Sequence, residues 1–188
     1  MPQRSWKLIS SRDISDHRIF HIRHDLYRFE PSGVEREFVV LDCPDWVNII
    51  PLTDDGRVVL IRQFRHGTRD VSLEIPGGVV EANETPEAAA VRELAEETGY
   101  VPGSVKPLGF VLPNPAIQGN RSYSFLAEGC RLAAAPQPDS FENIEVLLCP
   151  LEDIPAMIRS GEISHSLIIS AFALLQFTTP SPSGRGQG

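Results

Sequence analysis

Before the bend at Pro76-Gly77-Gly78 the apolar positions come in short, strand-length runs, and beyond it they recur about every 3.6 residues. The first clear pattern is a hairpin. One strand runs from Arg18 to Phe29, the chain turns at Pro31-Ser32-Gly33, and it returns over Val34 to Leu41. Residues 1–45 cannot bury a core of their own, so this β subdomain must pack on the rest of the chain or on a second copy. Two apolar runs follow, Val47 to Leu52 and Val58 to Gln63, joined by Thr53-Asp54-Asp55-Gly56, whose Asp-Gly step suits a tight turn. A short strand, Val71 to Ile75, precedes the bend.

After the bend, Val91, Leu94, Ala95 and Thr98 repeat as i, i+3, i+4 and i+7, which predicts an amphipathic helix over 86–98. Thr85 is its N-cap, Pro86 its first residue and Gly99 its stop. Strands are predicted over Val105 to Val111, Arg121 to Ala127 and Ile144 to Cys149, and a second helix over His165 to Phe177. Strands and helices mix without a regular βαβ repeat, so the fold class is α+β or an α/β/α sandwich. The last residues, 179–188, read as a loose tail.

Composition narrows the class. The chain of 188 residues carries a net charge of −8, which disfavours a surface built to neutralise nucleic acid or an anionic membrane. Cys43, Cys130 and Cys149 are odd in number and widely spaced, so reduced thiols are expected rather than a disulfide framework. The N-terminus lacks the apolar core of a signal peptide, and the run Ser166 to Phe177 is too short to span a bilayer. A cytoplasmic protein is the expectation.

The acidity is local. Glu74, Glu81, Glu84, Glu87, Glu93, Glu96 and Glu97 crowd residues 74–97, with Arg92 the single base. Taking Val91 as zero at about 100° per residue, Glu96, Glu93 and Glu97 fall near 140°, 200° and 240°, opposite the apolar face. Like charges at that spacing repel, so something positive must offset them. A solvated acidic helix face and a metal site are both open readings of this stripe. Oxygen donors without His or Cys suit Mg²⁺ or Mn²⁺.

The full spacing decides further. Gly78, five residues, Glu84, seven residues, then Arg92-Glu93-Leu94-Ala95-Glu96-Glu97-Thr98-Gly99-Tyr100 resembles the Nudix box, GX5EX7REUXEEXGU, at every position. The resemblance implies an α/β/α sandwich over residues 46–178 and metal-dependent hydrolysis of a nucleoside diphosphate linked to another group. It implies Glu93, Glu96 and Glu97 as metal ligands with the Gly77 carbonyl, and Glu96 and Arg92 as parts of the catalytic apparatus. Arg92 would orient the glutamates through salt bridges; Glu84 would either orient or ligate.

Val59-Leu60-Ile61-Arg62-Gln63-Phe64-Arg65 followed by Leu73-Glu74-Ile75-Pro76-Gly77-Gly78 is similar to the ADP-ribose pyrophosphatase branch of that family. That branch implies cleavage of ADP-ribose, or another ADP-sugar, to AMP and a sugar phosphate by a homodimer with an exchanged N-terminal β segment. It also implies adenine stacking by Trp6, phosphate contact by Arg65, ribose or adenine-side recognition by Glu74, and a general base at Glu142. Trp6 is equally readable as a packing residue, and Glu142 as a plain loop acid. One departure stands out: Pro113 and Pro115 lie in a Pro-Asn-Pro-Ala stretch where that branch carries a Ser-Pro-Gly-like turn, which leaves GDP-mannose and other nucleotide sugars open. A Nudix-like nucleotide sensor without hydrolysis is the rival of a different class. His21 and His24 read as surface or packing residues.

Overall fold

The computed structural model describes residues 5–137 and 143–178. The chain divides into two units. The first holds the described residues up to Asp45 together with Leu112–Arg121, and the second holds Trp46–Val111 with the described residues from Ser122 onward.

The first unit is a three-stranded antiparallel sheet in the order β1 (Trp6–Asp16), β2 (His21–Phe29) and β3 (Val34–Asp42). The predicted strand from Arg18 begins at His21, and the strand β1 before it is not evident from periodicity. Its sequence, WKLISSRDISD, alternates poorly because two register shifts interrupt its pairing with β2. The segment Leu112–Arg121, assigned from sequence to the 46–178 domain, groups instead with these strands. The Leu41 N–H donates to the Ile117 carbonyl at 2.7 Å, and the Asn120 side-chain amide donates to the Pro44 carbonyl at 3.0 Å. Such long-range bonds leave no mark on local pattern.

The second unit is built on a sheet ordered β11 (Glu145–Pro150), β5 (Arg57–Arg65), β4 (Trp46–Thr53), β10 (Ser122–Leu132) and β8 (Tyr100–Val101). β6 (Asp70–Glu74) pairs with β5, β7 (Gly77–Val79) with β4, and β9 (Ser104–Val111) with β10. β4 and β10 run parallel at its centre, and the other pairings are antiparallel.

Helices cover both faces. α1 (Pro86–Thr98) lays Ala89, Ala90 and Leu94 on Val47, Ile49, Phe125 and Ala127. α2 (Ile154–Ser160) and α3 (Ser166–Thr178) close the opposite face, where Ile154, Ile168, Ala171 and Phe172 pack with Ile50, Leu60 and Leu126. The alternation along β4 sends its odd residues to one helix layer and Ile50 to the other. The result is an α+β sandwich of helix, sheet and helix. No helix among the described residues is long and apolar enough to cross a membrane. Cys43, Cys130 and Cys149 are free thiols.

Candidate functional site

The site is assembled where β6, the bend into β7, and α1 meet. The Thr85 hydroxyl accepts the Ala88 N–H at 3.2 Å, and Gly99 closes the helix with φ of 74°, so α1 is fixed at both ends. Its apolar stripe holds it to the sheet and thereby sets the direction of the acidic stripe.

Arg92 organises that stripe. Its Nε and Nη2 donate to the two Glu84 carboxylate oxygens, each at 3.0 Å, and Nη2 also donates to the Val79 carbonyl at 3.1 Å. Nη1 donates to Glu93 Oε1 at 2.9 Å and Glu96 Oε2 at 3.0 Å, so two carboxylates converge on one nitrogen. The guanidinium thus offsets the repulsion expected of the stripe. The Arg92 hydrogen bonds hold Glu84 below the ordinary carboxylate range, and Glu84, Glu93 and Glu96 together push Arg92 further up.

Glu97 is buried, and its Oε2 accepts the Gly77 N–H at 3.0 Å, which ties α1 to the glycine bend. A Cβ on Gly78 would overlap the Glu93 carboxylate, so glycine is what allows that carboxylate to lie against the backbone. A Cβ on Gly77 would overlap the Val47 carbonyl oxygen.

A second charged pair adjoins the bend. Arg65, at the end of β5, donates from Nε and Nη2 to the two oxygens of Glu74 at 2.7 and 2.6 Å. Glu74 is only 2% exposed. Burial pushes its pKa up, but the Arg65 fork outweighs that and holds it below the ordinary range.

Among the residues picked from the sequence, Glu84, Arg92, Glu93 and Glu96 are joined in one network, Glu97 and Gly77 in a second contact, and Arg65 and Glu74 in a third. Trp6 lies in the first unit, its ring 4.9 Å from that of Phe29 and 5.6 Å from that of Phe38. Glu142 lies outside the described residues, as does the tail of 179–188. Asn48 is a buried residue at the bend that the sequence reading does not single out. A polar residue inside the apolar run of β4 is the signal that marks it.

Among the described residues no three His, Cys, Asp or Glu side chains already form a metal-holding group. The donors that are present are all oxygens, two of them converging on a single cationic nitrogen, and a hard divalent ion takes one or two such carboxylates together with water and phosphate oxygens. The donor set therefore fits Mg²⁺ or Mn²⁺. Thiolate chemistry finds no support: burial pushes the Cys130 thiol up to about 11.

A NUDIX domain matches residues 44–171. The ADP-ribose pyrophosphatase of Bacillus subtilis is 30% identical over 175 residues, covering 90% of this chain and 95% of the relative. The GDP-mannose pyrophosphatase of an Enterobacter species is 31% identical over 182 residues, covering 91% and 93%. A crystal structure described as an ADP compounds hydrolase superposes with a TM-score of 0.82 at 21% identity, over 92% of this chain and 93% of the other, and shares the fold.

Proposed function

The chain belongs to the Nudix family, and from that premise we propose that it hydrolyses the diphosphate bond of ADP-ribose or a related ADP-sugar, releasing AMP and a sugar phosphate. The observation that carries this reading is the gathering of Glu84, Glu93 and Glu96 on Arg92 beside the Glu97–Gly77 contact. Such an arrangement concentrates carboxylate oxygens where a diphosphate, itself anionic, needs a cation. Mg²⁺ bound there would neutralise the diphosphate and lower the pKa of a bound water.

In this reading Glu93, Glu96 and Glu97, with the Gly77 carbonyl, hold the ion. Arg92 fixes where Glu93 and Glu96 point, so it acts by positioning. Glu84 anchors the other side of that guanidinium. Arg65, whose side chain is 43% exposed, is the proposed phosphate contact, and Glu74 holds it in place from the buried side. Glu142 is the proposed general base. Trp6 is the proposed adenine-stacking residue, a role that suits a large ring still 48% exposed.

A GDP-sugar is the second reading. It is favoured by the GDP-mannose pyrophosphatase among the relatives and by Pro113 and Pro115, which depart from the turn of the ADP-ribose branch. Chromatographic separation of products from ADP-ribose, ADP-glucose and GDP-mannose, each with Mg²⁺, tests the choice. AMP formed from ADP-ribose at the highest kcat/KM supports the first reading. GMP formed fastest from GDP-mannose replaces it with the second, and no product from any of the three overturns both.

A further inference from the structure

The last turn of α1 carries Glu96 and Glu97, and the end of a helix is where carbonyl groups lose their intrahelical partners. At Gly99 the chain turns left-handed, and the Tyr100 N–H goes to the Thr98 hydroxyl at 3.1 Å instead of continuing the helical ladder to Glu96. The Glu96 carbonyl is taken by a donor from a distant part of the sequence, the Gln137 N–H, at 2.8 Å. Two further bonds join the same segments: the Gly99 carbonyl accepts the N–H groups of Ala133 and Ala134 at 2.9 and 3.2 Å.

Residues 133–137 are thus laid along the end of α1 through main-chain bonds, although all five are exposed. The approach is close enough that a Cβ on Gly99 would overlap the Ala134 carbonyl. Of the three donors only Gln137 reaches a residue of the acidic stripe, and it is the one with a proline on each side. Pro136 and Pro138 narrow the conformations open to the unfolded chain there, so forming this bond costs less entropy than in an ordinary loop.

Glu96 has the weaker hold of the two glutamates in that turn. Its carboxylate is half-exposed and bonds to Arg92 Nη1, a nitrogen it shares with Glu93. Glu97 is buried and also bonded to the Gly77 N–H. Helix ends fray, and fraying of this one would carry Glu96 away from Glu93 while Glu97 stayed tethered to the bend. We propose that Gln137 is a positioning residue whose main-chain N–H holds the last turn of α1, and with it Glu96, in the arrangement that binds a divalent ion. The assignment rests on the metal-dependent reading above.

The test is Mn²⁺ binding to the full chain without substrate, followed by the electron paramagnetic resonance of free Mn²⁺. Gln137→Ala, which keeps the N–H, is the reference. Two further chains lack that donor: one with lactic acid at position 137, so that an ester replaces the peptide bond, and Gln137→Pro. Thermal melts show that each chain is folded at the assay temperature, and Gln137→Pro serves if the ester chain is not. The Kd for Mn²⁺ is expected to rise about fivefold without the N–H, the worth of one backbone hydrogen bond, because less of the chain then has an intact last turn. A Kd equal to the reference in the folded chains lacking the N–H, with binding weakened in Glu97→Gln, overturns the Gln137 assignment alone. No Mn²⁺ bound by the unsubstituted chain, or equal binding by Glu97→Gln, overturns it together with the metal-dependent reading.

Discussion

Gly77 and Gly78 are neighbours of identical chemistry, yet a methyl group added to each would meet different atoms and so have different consequences. At Gly77 the obstacle is the Val47 carbonyl, a backbone atom of a central strand that cannot yield cheaply. At Gly78 it is the Glu93 carboxylate, the far end of a flexible side chain. Gly77→Ala is therefore expected to destabilise the fold by about 2–3 kcal/mol in urea titrations. Gly78→Ala should cost less than about 1 kcal/mol while lowering kcat/KM about a hundredfold, because the displaced carboxylate is a proposed metal ligand.

Arg65→Ala tests the buried pair through pH. In the intact pair the folded Glu74 pKa is depressed, so its contribution is present above the unfolded value of about 4.3 and is lost as pH falls through the folded one. Without the guanidinium, burial alone raises that pKa, and the variant loses stability as pH rises through it. The gap between the two proteins should be widest at pH 7, on the order of 2 kcal/mol because Arg65 is half in water, and narrow towards pH 4. A gap independent of pH in urea titrations would contradict the pairing. At this scale the box residues were legible because their spacing is sequential, whereas Asn48 acquires meaning only through a contact across the fold.

Helix α1 shows how an element becomes readable from sequence. Thr85, Pro86 and Gly99 mark its ends and a 3.6-residue period marks its buried face, so its limits, 86–98, coincide with the observed Pro86–Thr98. Thr85→Ala should lower stability by about 1 kcal/mol in thermal or urea melts through loss of the bond to the Ala88 N–H. Gly99→Ala should cost more, since φ of 74° disfavours a side chain and a Cβ there would overlap the Ala134 carbonyl. The opposite order would mean that the helix end is set elsewhere. The elements that escaped sequence reading are those without such marks: β7 and β8 have three and two residues, α2 has seven, and β1 is interrupted by bulges. Their conformation is imposed by neighbours rather than by their own pattern.

The chain comprises a sandwich that buries an apolar cluster on each face of its sheet and a three-stranded sheet for which no such cluster is seen among the described residues. On the latter, Leu8, Val34 and Phe38 share a face by register, and all remain exposed. We propose that a second copy of the chain covers that face. Light scattering is expected to give a homodimer for the full chain, and Leu8→Lys combined with Val34→Lys is expected to shift it towards monomer. A monomeric full chain would contradict the dimer. What pairs with this sheet was suggested by sequence only as a question of an unburied segment, since pattern reports what must be covered but not by what.

Turnover is expected to depend on a divalent cation held by the carboxylates of α1. The most direct measurement is the rate of AMP formation from ADP-ribose in the metal-free protein during titration with Mg²⁺, beside Glu97→Gln. The expected result is no turnover without the ion, full recovery on its addition, and a variant about a hundredfold slower or saturating at much higher Mg²⁺. Turnover that persists in excess chelator, or a Glu97→Gln variant with an unaltered Mg²⁺ dependence, would contradict it.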